Sequence, residues 1–424
     1  MTKGQVRTIA KNIAAEIENI RTKKVTISVV KTFAASTLNT DETGRPKTMQ
    51  YGQIMRDRLT SQALKHAIRE AFRKMKIAHM GTRTRSLPDL AEVEMYRLRE
   101  ENDKFEDISD ELIAEAKQKL TKFGKSDKKK KDAGEEDEKK GKKSDEKELI
   151  TKQAIFFSDE DITAIAEAML TEIVKCKLDA KTFAAEKIEK MNSLKKCVTN
   201  AISVDMALFG RMVTSEFLSN VEAAVQVSHA MSTHAAYRES DYFSCVDDMI
   251  AMGRTGMSGA AITDYKAFRS STFYMYSAID LGALVENFRK IPDGEQMLES
   301  VIEAYIKCFA MTYPKTGQNA FAAQPFPDMV MIEVQDGDVP TYAYHGAYET
   351  PVKTYGQNPE VVKNSIAALV KYVDQQDYAY SDVRPIRHRA YFAPGYADEI
   401  KPENSEVFGK FGDAVREVIK WIKE

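Results

Sequence analysis

The sequence predicts an α+β fold built on the ferredoxin-like, RRM-type order of elements and interrupted by a large helical insertion. Three observations carry this reading. KVTISVVKTF (24–33) and PDMVMIEVQ (327–335) are β-branched, alternating runs of the kind that form strands. The block from about Ser86 to Asn200 is dominated by helical spacing. With that block set aside, the remaining segments run strand, helix, strand, strand, helix, strand. A doubly wound α/β sheet would alternate more strictly.

In chain order, the first 23 residues read as an amphipathic helical extension, with Val6, Ile9, Ile13, Ile17 and Ile20 on one side. The strand 24–33 follows. STLNTDETGRPKTMQYGQ (36–53) is polar, and its Asn39, Gly44, Pro46 and Gly52 argue against regular structure. RLTSQALKHAIREAF (58–72) then opens with a cap-like Thr60-Ser61 and places Leu64, Ala67, Ile68, Ala71 and Phe72 on one helical face. LAEVEMYRLREENDKF, SDELIAEAKQKLTKF, DEDITAIAEAMLTEIVKC and TFAAEKIEKMNSLKKCV are four further helix candidates. Between the second and third lies the run 124–148, almost wholly charged and expected to be disordered because it has nothing with which to form a core. Strand patterns are expected again at 203–213, within 221–237 and at 271–281. A helix is expected near 294–311, a last strand at 327–335, and helices at 361–373 and from Glu406 to the end.

Bulk properties exclude several classes. The 424 residues carry a formal net charge of −2, so nucleic-acid binding has to rest on local patches and not on a global field. Cys176, Cys197, Cys245 and Cys308 form no CxxC pair and read as reduced thiols. No apolar run reaches the length of a membrane span and the first residues lack a signal-peptide core, so a cytoplasmic address and no membrane contact are expected. There is no GxxxxGK[ST], no HExxH and no GxSxG. MGRTGMSGAA (252–261) lacks the strand-to-helix setting of a dinucleotide site. His229 and His234 read as structural. No metal site and no cofactor are expected.

The candidate binding residues are basic. Gln62, Lys65, Arg69 and Arg73 recur at three- and four-residue spacing on one face of the 58–72 helix. Lys65 and Arg69, one turn apart, suit successive phosphates, and a helix N-terminus adds N–H donors and positive potential. Arg45, Lys47, Arg56 and Arg58 precede that helix. Asp41 and Glu42 lie near Lys47, which leaves open a metal-dependent cut of an RNA backbone by Asp41. Asp247-Asp248 reads the same way. A scaffold that assembles through its helices without touching nucleic acid is the third reading.

Several separated blocks resemble the CasC family, the repeated backbone subunit of the type I-E CRISPR Cascade complex. These are STLNTDETGRPKTMQYGQ followed by RDRLTSQALKHAIR, then VDMALFGRMVTS, AVQVSHAMSTHAAYRESDYFSCVDDM and QNAFAAQPFPDMVMIEV, in that order along the chain. The resemblance implies an RRM-like palm at 24–85 and 201–424, a helical finger domain at 86–200 and a β-hairpin thumb at about 237–270. It implies a protein that is not an enzyme. Such a protein oligomerises head to tail along crRNA, kinks it at regular intervals and presents it for pairing with target DNA beside other Cascade subunits in antiviral defence. Carried over by motif, Asn39 and Lys47 lie beside the guide backbone, and Thr60, Gln62, Lys65 and Arg69 grip RNA at a helix start. Arg211 and Met212 fall in the family's GRM block, followed by Thr214, with the methionine against bases. Phe243 and Ser244 match the thumb at the kink, and Met257 its other apolar contact. Thr40, Ile54, Met55 and His66 replace residues that are basic in relatives, and Arg45 is placed to compensate. Lys187, Lys190, Lys195 and Lys196 are expected to meet target-DNA phosphates.

Overall fold

Strand β1 (Lys23–Ser36) is the buried spine of the larger of two units. The computed structural model describes residues 15–123, 149–151, 154–196, 202–213, 217–237, 239–245, 247–252, 254, 262–356, 359–383, 386–400 and 405–424. One unit comprises the described parts of Met1–Ile77, Val225–Val285 and Gln296–Glu424, and the other those of Ala78–Ala224 and Glu286–Glu295. The block 86–200 thus lies inside a unit that extends further in both directions.

Along the chain, helix α1 covers residues 15–21 and precedes β1. Then come β2 (Thr48–Tyr51), β3 (Ile54–Leu59) and α2 (Ser61–Lys74). The second unit adds β4 (Thr82–Thr84), α3 (Leu87–Glu101), α4 (Asp110–Leu120), β5 (Ile155–Phe157), α5 (Asp159–Lys175), α6 (Ala180–Ala185), α7 (Asn192–Lys196) and α8 (Val204–Phe209). There follow β6 (Val225–Val227), β7 (Ala230–Ser232), β8 (Glu239–Cys245), α9 (Asp248–Ala251), β9 (Ile262–Asp280), α10 (Leu281–Phe288), α11 (Gly294–Met311) and α12 (Gln318–Phe321). The last elements are β10 (Met329–Asp336), α13 (Val361–Ala379), β11 (Ile386–Phe392), β12 (Glu406–Val407) and α14 (Phe411–Lys423).

The first unit is organised on one mixed sheet, ordered β12-β11-β10-β1-β9-β7-β3-β2, with β6 and β8 also pairing with β9. Every pair is antiparallel except β11 with β12. Strand β1 is buried on both faces, and the polar residues that stand among its apolar ones, Thr26, Ser28 and Lys31, are hydrogen-bonded inside the fold. On one face Val30, Tyr274, Tyr276 and Met331 pack under Ile366, Leu369 and Val373 of α13. On the other, Ser277 bonds Tyr305 of α11 at 2.7 Å. Lys31 is fully buried there and donates to the Ala310 and Met311 carbonyls at 3.1 and 3.0 Å, closing the C-terminal end of α11. Burial pushes its ammonium pKa down to about 7.

Beneath α13 the sheet holds a buried polar row. Thr26, Glu333 and Arg389 are directly paired across β1, β10 and β11. Glu333 accepts from Thr26 at 2.9 Å, from Tyr344 at 2.8 Å and from Arg389 at 2.7 and 2.9 Å. Arg389 also donates to Asp377 of α13 at 2.6 Å. The charges are buried but well supplied with partners, which offsets their desolvation.

The second unit has a core of its own. Ala91 and Met95 of α3, Ile113 and Ala116 of α4, and Ile165 and Met169 of α5 pack around Phe105, Phe157 and Phe183. Helix α5 starts at a reciprocal cap in which Ser158 Oγ accepts from the Asp161 N–H and Asp161 Oδ2 from the Ser158 N–H, both at 3.1 Å.

Five expectations need correction. The segment 36–53 ends in regular structure, because Gly52 and Gln53, both at positive φ, make the tight turn that joins β2 to β3. Gly52 is obligatory there, since a Cβ would lie 2.3 Å from the Glu349 carbonyl oxygen. Ser203–Val213 is not a strand: Ser203 caps helix α8 and Gly210, at φ 79°, ends it. The helix expected over TFAAEKIEKMNSLKKCV breaks after Ala185, where Lys119 takes the Ala184 and Glu186 carbonyls at 2.9 and 2.8 Å. β10 is not the last strand, because β11 and the short β12 extend the sheet beyond it. The final helix starts at Phe411 and not at Glu406. The run 124–148 and Val6, Ile9 and Ile13 lie outside the described residues.

Trp421, the only tryptophan, is buried on α14 and stacks on His388 at 4.9 Å, so its fluorescence reports this unit. Removing one partner from the buried charge row should cost about 3–5 kcal/mol. Arg389→Met is therefore expected to lower the denaturant midpoint followed at Trp421, and an unchanged midpoint would show that the row is dispensable.

Candidate nucleic-acid interface

In the first unit, the loop after β1 and the start of α2 form one hydrogen-bonded assembly. Lys47 N–H bonds the Asn39 carbonyl at 2.9 Å and Arg58 N–H bonds the Lys47 carbonyl at 3.0 Å. Asn39 Oδ1 in turn accepts from the Thr60 N–H at 2.9 Å. Thr60 caps α2, its Oγ1 accepting from the Ala63 N–H at 3.3 Å, and His229 Nδ1 accepts from the Ser61 N–H at 3.2 Å. Asn39, Lys47 and Arg58 line one cleft with Arg269 and Ser271. The sequence-predicted residues Asn39, Lys47, Arg58 and Thr60 are thus brought together.

The helix N-terminus differs from the expectation in one respect. Three of its N–H groups are already satisfied within the chain, so an anion there would be held chiefly by side chains and not by backbone donors. Arg45 and Gln62 are exposed and Lys47, Arg58 and Lys65 half-buried. Burial holds the Lys65 ammonium below its usual pKa. The predicted basic row is not uniform: Arg69 is only 6% exposed, and Arg73 is paired with Glu70 at 2.7 Å.

Two further basic residues near the loop are structural. Arg56 is fully buried and donates to the Thr233 carbonyl at 2.9 Å and the Tyr348 carbonyl at 2.6 Å. Arg269 is paired with Asp57, which also accepts from Ser271 at 2.6 Å. Asp41 is a turn residue: its Oδ1 accepts from the Thr43 N–H, the Thr43 hydroxyl and the Arg45 N–H at 2.9, 2.7 and 3.1 Å. Chiefly the Thr43 hydroxyl bond holds its pKa below the ordinary carboxylate value. Asp247 caps α9. Among the described residues no group of three or more His, Cys, Asp or Glu could hold a metal ion, and no helix is long and apolar enough to cross a membrane. Cys176 and Cys308 are free thiols, and Cys197 lies outside the described residues.

Also in this unit, β8 and the first half of β9 form an exposed ribbon in register from Glu239↔Phe268 to Cys245↔Ile262. Phe243 is 41% exposed and lies directly opposite Asp264, on the face that also carries Asp241 and Lys266. The other face carries Ser240, Tyr242, Ser244, Thr263 and Tyr265 and no charge. Tyr242 and Tyr265 are 57% and 70% exposed, with ring centroids 5.2 Å apart. Sequence reasoning missed this pair, whose members become neighbours only through the strand register. Met257 lies outside the described residues.

In the second unit, Arg211 is 3% exposed. It is ion-paired with Asp161 and donates to the Ser219 carbonyl at 3.0 Å and the Phe156 carbonyl at 3.2 Å. It therefore braces the start of α5 and has no exposed guanidinium for a phosphate, contrary to the expectation from its motif. Met212, the next residue, is 93% exposed. Lys187, Lys190 and Lys195 are exposed, though on a broken segment and not along one helix. Thr214 and the side chain of Lys196 lie outside the described residues.

Comparison with known proteins decides the family. The profile of the family described as CT1975-like protein matches residues 25–415. The chain belongs to the CT1975-like protein family. Two solved chains share its fold. One, from a structure titled CRISPR RNA-guided surveillance complex, pre-nicking, has a TM-score of 0.70 and 23% identity, with 94% of this chain and 100% of that chain covered. The other, from a structure titled CRISPR RNA-guided surveillance complex, has a TM-score of 0.61 and 20% identity, with 94% and 99% covered. At these identities the likeness is one of fold. Comparison with curated protein sequences finds no match.

His229 gives this assembly a pH dependence. Burial, and then the Arg58 charge, hold its pKa below the model-compound 6.5. The unfolded chain therefore takes up the proton first, and the stability contributed by neutral His229 is lost as pH falls from above 6.5 through the folded pKa. The His229 imidazole resonance should titrate below 6.5 in NMR. A midpoint at or above that value would contradict the proposed environment.

Proposed function

We propose that this chain is the crRNA-binding backbone subunit of a CRISPR surveillance complex of the Cascade type, and specifically of the type I-E kind that its sequence motifs resemble. The observation that carries the reading is the extent of the likeness. The family profile covers 25–415, and chains from two CRISPR RNA-guided surveillance complexes match over nearly their whole length. The sheet order β10-β1-β9-β7, connected strand, helix, strand, strand, helix, strand, supports an RRM-like palm. The exposed β8–β9 ribbon supports a thumb, and the second unit a helical finger.

In this reading the protein shapes RNA and does no chemistry. Arg45, Lys47, Arg58 and Lys65 contact guide phosphates from the Asn39–Thr60 loop assembly. Arg69 acts as a support for that helix. Phe243 and Met212 meet bases, which have a π-face whatever their identity, so binding is independent of sequence. Copies of the chain assemble head to tail along the guide, and other Cascade subunits and target DNA join through it. The address is the cytoplasm. Cleavage by Asp41 is disfavoured because one of its oxygens already takes three hydrogen bonds within its own turn.

Two experiments test this. Arg45→Ala with Lys47→Ala and Lys65→Ala should weaken single-stranded RNA binding, and flatten the dependence of log K on log salt by about 0.7 per phosphate contact removed. Fluorescence anisotropy across a salt series reads both, and an unchanged slope would remove these residues from the interface. Met212→Ala should leave stability within about 0.5 kcal/mol, since its side chain is exposed. The same change should weaken RNA binding by about 0.3–1.5 kcal/mol, the range of a thioether against an aromatic face. Unaltered RNA affinity would exclude a base contact.

A further inference from the structure

A cavity of about 310 Å³ opens in the first unit between the chain that follows β10 and the last turns of α13. Its walls are Tyr342, Tyr344, Tyr372, Tyr380, Gln376 and Val383, with the backbone at Ala343. Tyr372 and Gln376 are four residues apart on one side of α13, and Tyr380 is the residue that caps its C-terminal end. Tyr344 and Tyr372 meet edge to face at 6.4 Å, and Tyr344 is fixed by its bond to Glu333. Tyr342, Tyr380 and Val383 form the mouth and are 51%, 52% and 63% exposed.

Acidic side chains outnumber basic ones in the two lining stretches, although Lys371 and Arg384 stand at the edges of the second and Arg56 bonds the Tyr348 and Glu349 carbonyls of the first. The stretch 336–349 holds Asp336, Asp338 and Glu349, and 372–383 holds Asp374, Asp377 and Asp382, with no Lys or Arg in either. Arg389, which bonds Asp377, is also paired with Glu333, so those three together carry one net negative charge. Helix α13 ends at Ala379, and the partial negative charge of its C-terminus falls at the cavity. The excess of acids disfavours a nucleic-acid backbone, and aromatic faces with a side-chain amide suit a flat cation.

We propose that this cavity receives the guanidinium of an arginine presented by a partner protein. An arginine fits better than a lysine, because its planar, weakly hydrated head stacks on ring faces while its edge donates to Gln376. The proposal is independent of the RNA-binding reading and rests on a different part of the unit.

The test uses the full-length chain without RNA. L-argininamide is titrated against it, with L-citrullinamide as the neutral isostere, and followed by calorimetry or NMR. Saturable argininamide binding in the millimolar range is expected, at least about fivefold tighter than citrullinamide. Tyr342→Ala with Tyr380→Ala should abolish that preference, whereas Tyr380→Phe, which keeps the ring, should retain it. These side chains are at the mouth, so Trp421 fluorescence can verify that the fold is intact. Equal affinity for the two amides, a preference that survives the double substitution, or no saturable binding would overturn the proposal.

Discussion

The register of β9 is the constraint on which the first unit depends. Its second half, Ser271–Asp280, is buried against β1 on one edge and against β6 and β7 on the other. Its first residues, Ile262–Phe268, leave that core and pair with β8. Side chains alternate strictly along a strand, so a slip of one residue would turn Tyr274 and Tyr276 away from α13 and reverse both faces of the ribbon. The buried half therefore determines which face the exposed half shows. A two-stranded ribbon is marginal by itself, and continuity with a core strand compensates for that weakness.

Buried arginines are the second organising feature. Arg56, Arg69, Arg211, Arg269 and Arg389 are each less than 10% exposed. Arg211, Arg269 and Arg389 have carboxylate partners, while Arg56 is held by backbone carbonyls. A basic residue beside an RNA-binding motif is thus not necessarily an RNA-binding residue. Arg211 braces a helix start while its neighbour Met212 is exposed, and within the loop assembly Arg56 locks the strand that presents Arg58.

The fold was legible where a signal is local. The run 24–33, the cap at Thr60 and the periodicity of 58–72, 294–311 and 361–373 correspond to β1, α2, α11 and α13, since amphipathic spacing needs no tertiary information. Misreadings occurred where short elements depend on a single residue. Ser203 and Gly210 turn a strand-like run into a helix, and Gly52 turns a loop into a hairpin. The loop half of the candidate site was legible by motif, through Asn39, Lys47 and Thr60. Exposure was not, because burial of Arg69 and Arg211 follows from contacts with distant segments. The Tyr242–Tyr265 pair was invisible for the same reason, its members being 23 positions apart until the register joins them.

A chain of net charge −2 can still carry a locally basic patch in its first unit. Over 41–65 the basic side chains number five, Arg45, Lys47, Arg56, Arg58 and Lys65, against Asp41, Glu42 and Asp57. Asp57 is neutralised by Arg269, which leaves the loop with an excess of positive charge. The compensating acids lie elsewhere, notably in 336–349 and 372–383. At physiological ionic strength exposed charges are screened beyond about 8 Å. Segregated patches therefore act as separate surfaces, and near-neutrality overall is compatible with one patch that favours phosphate and another that favours a cation.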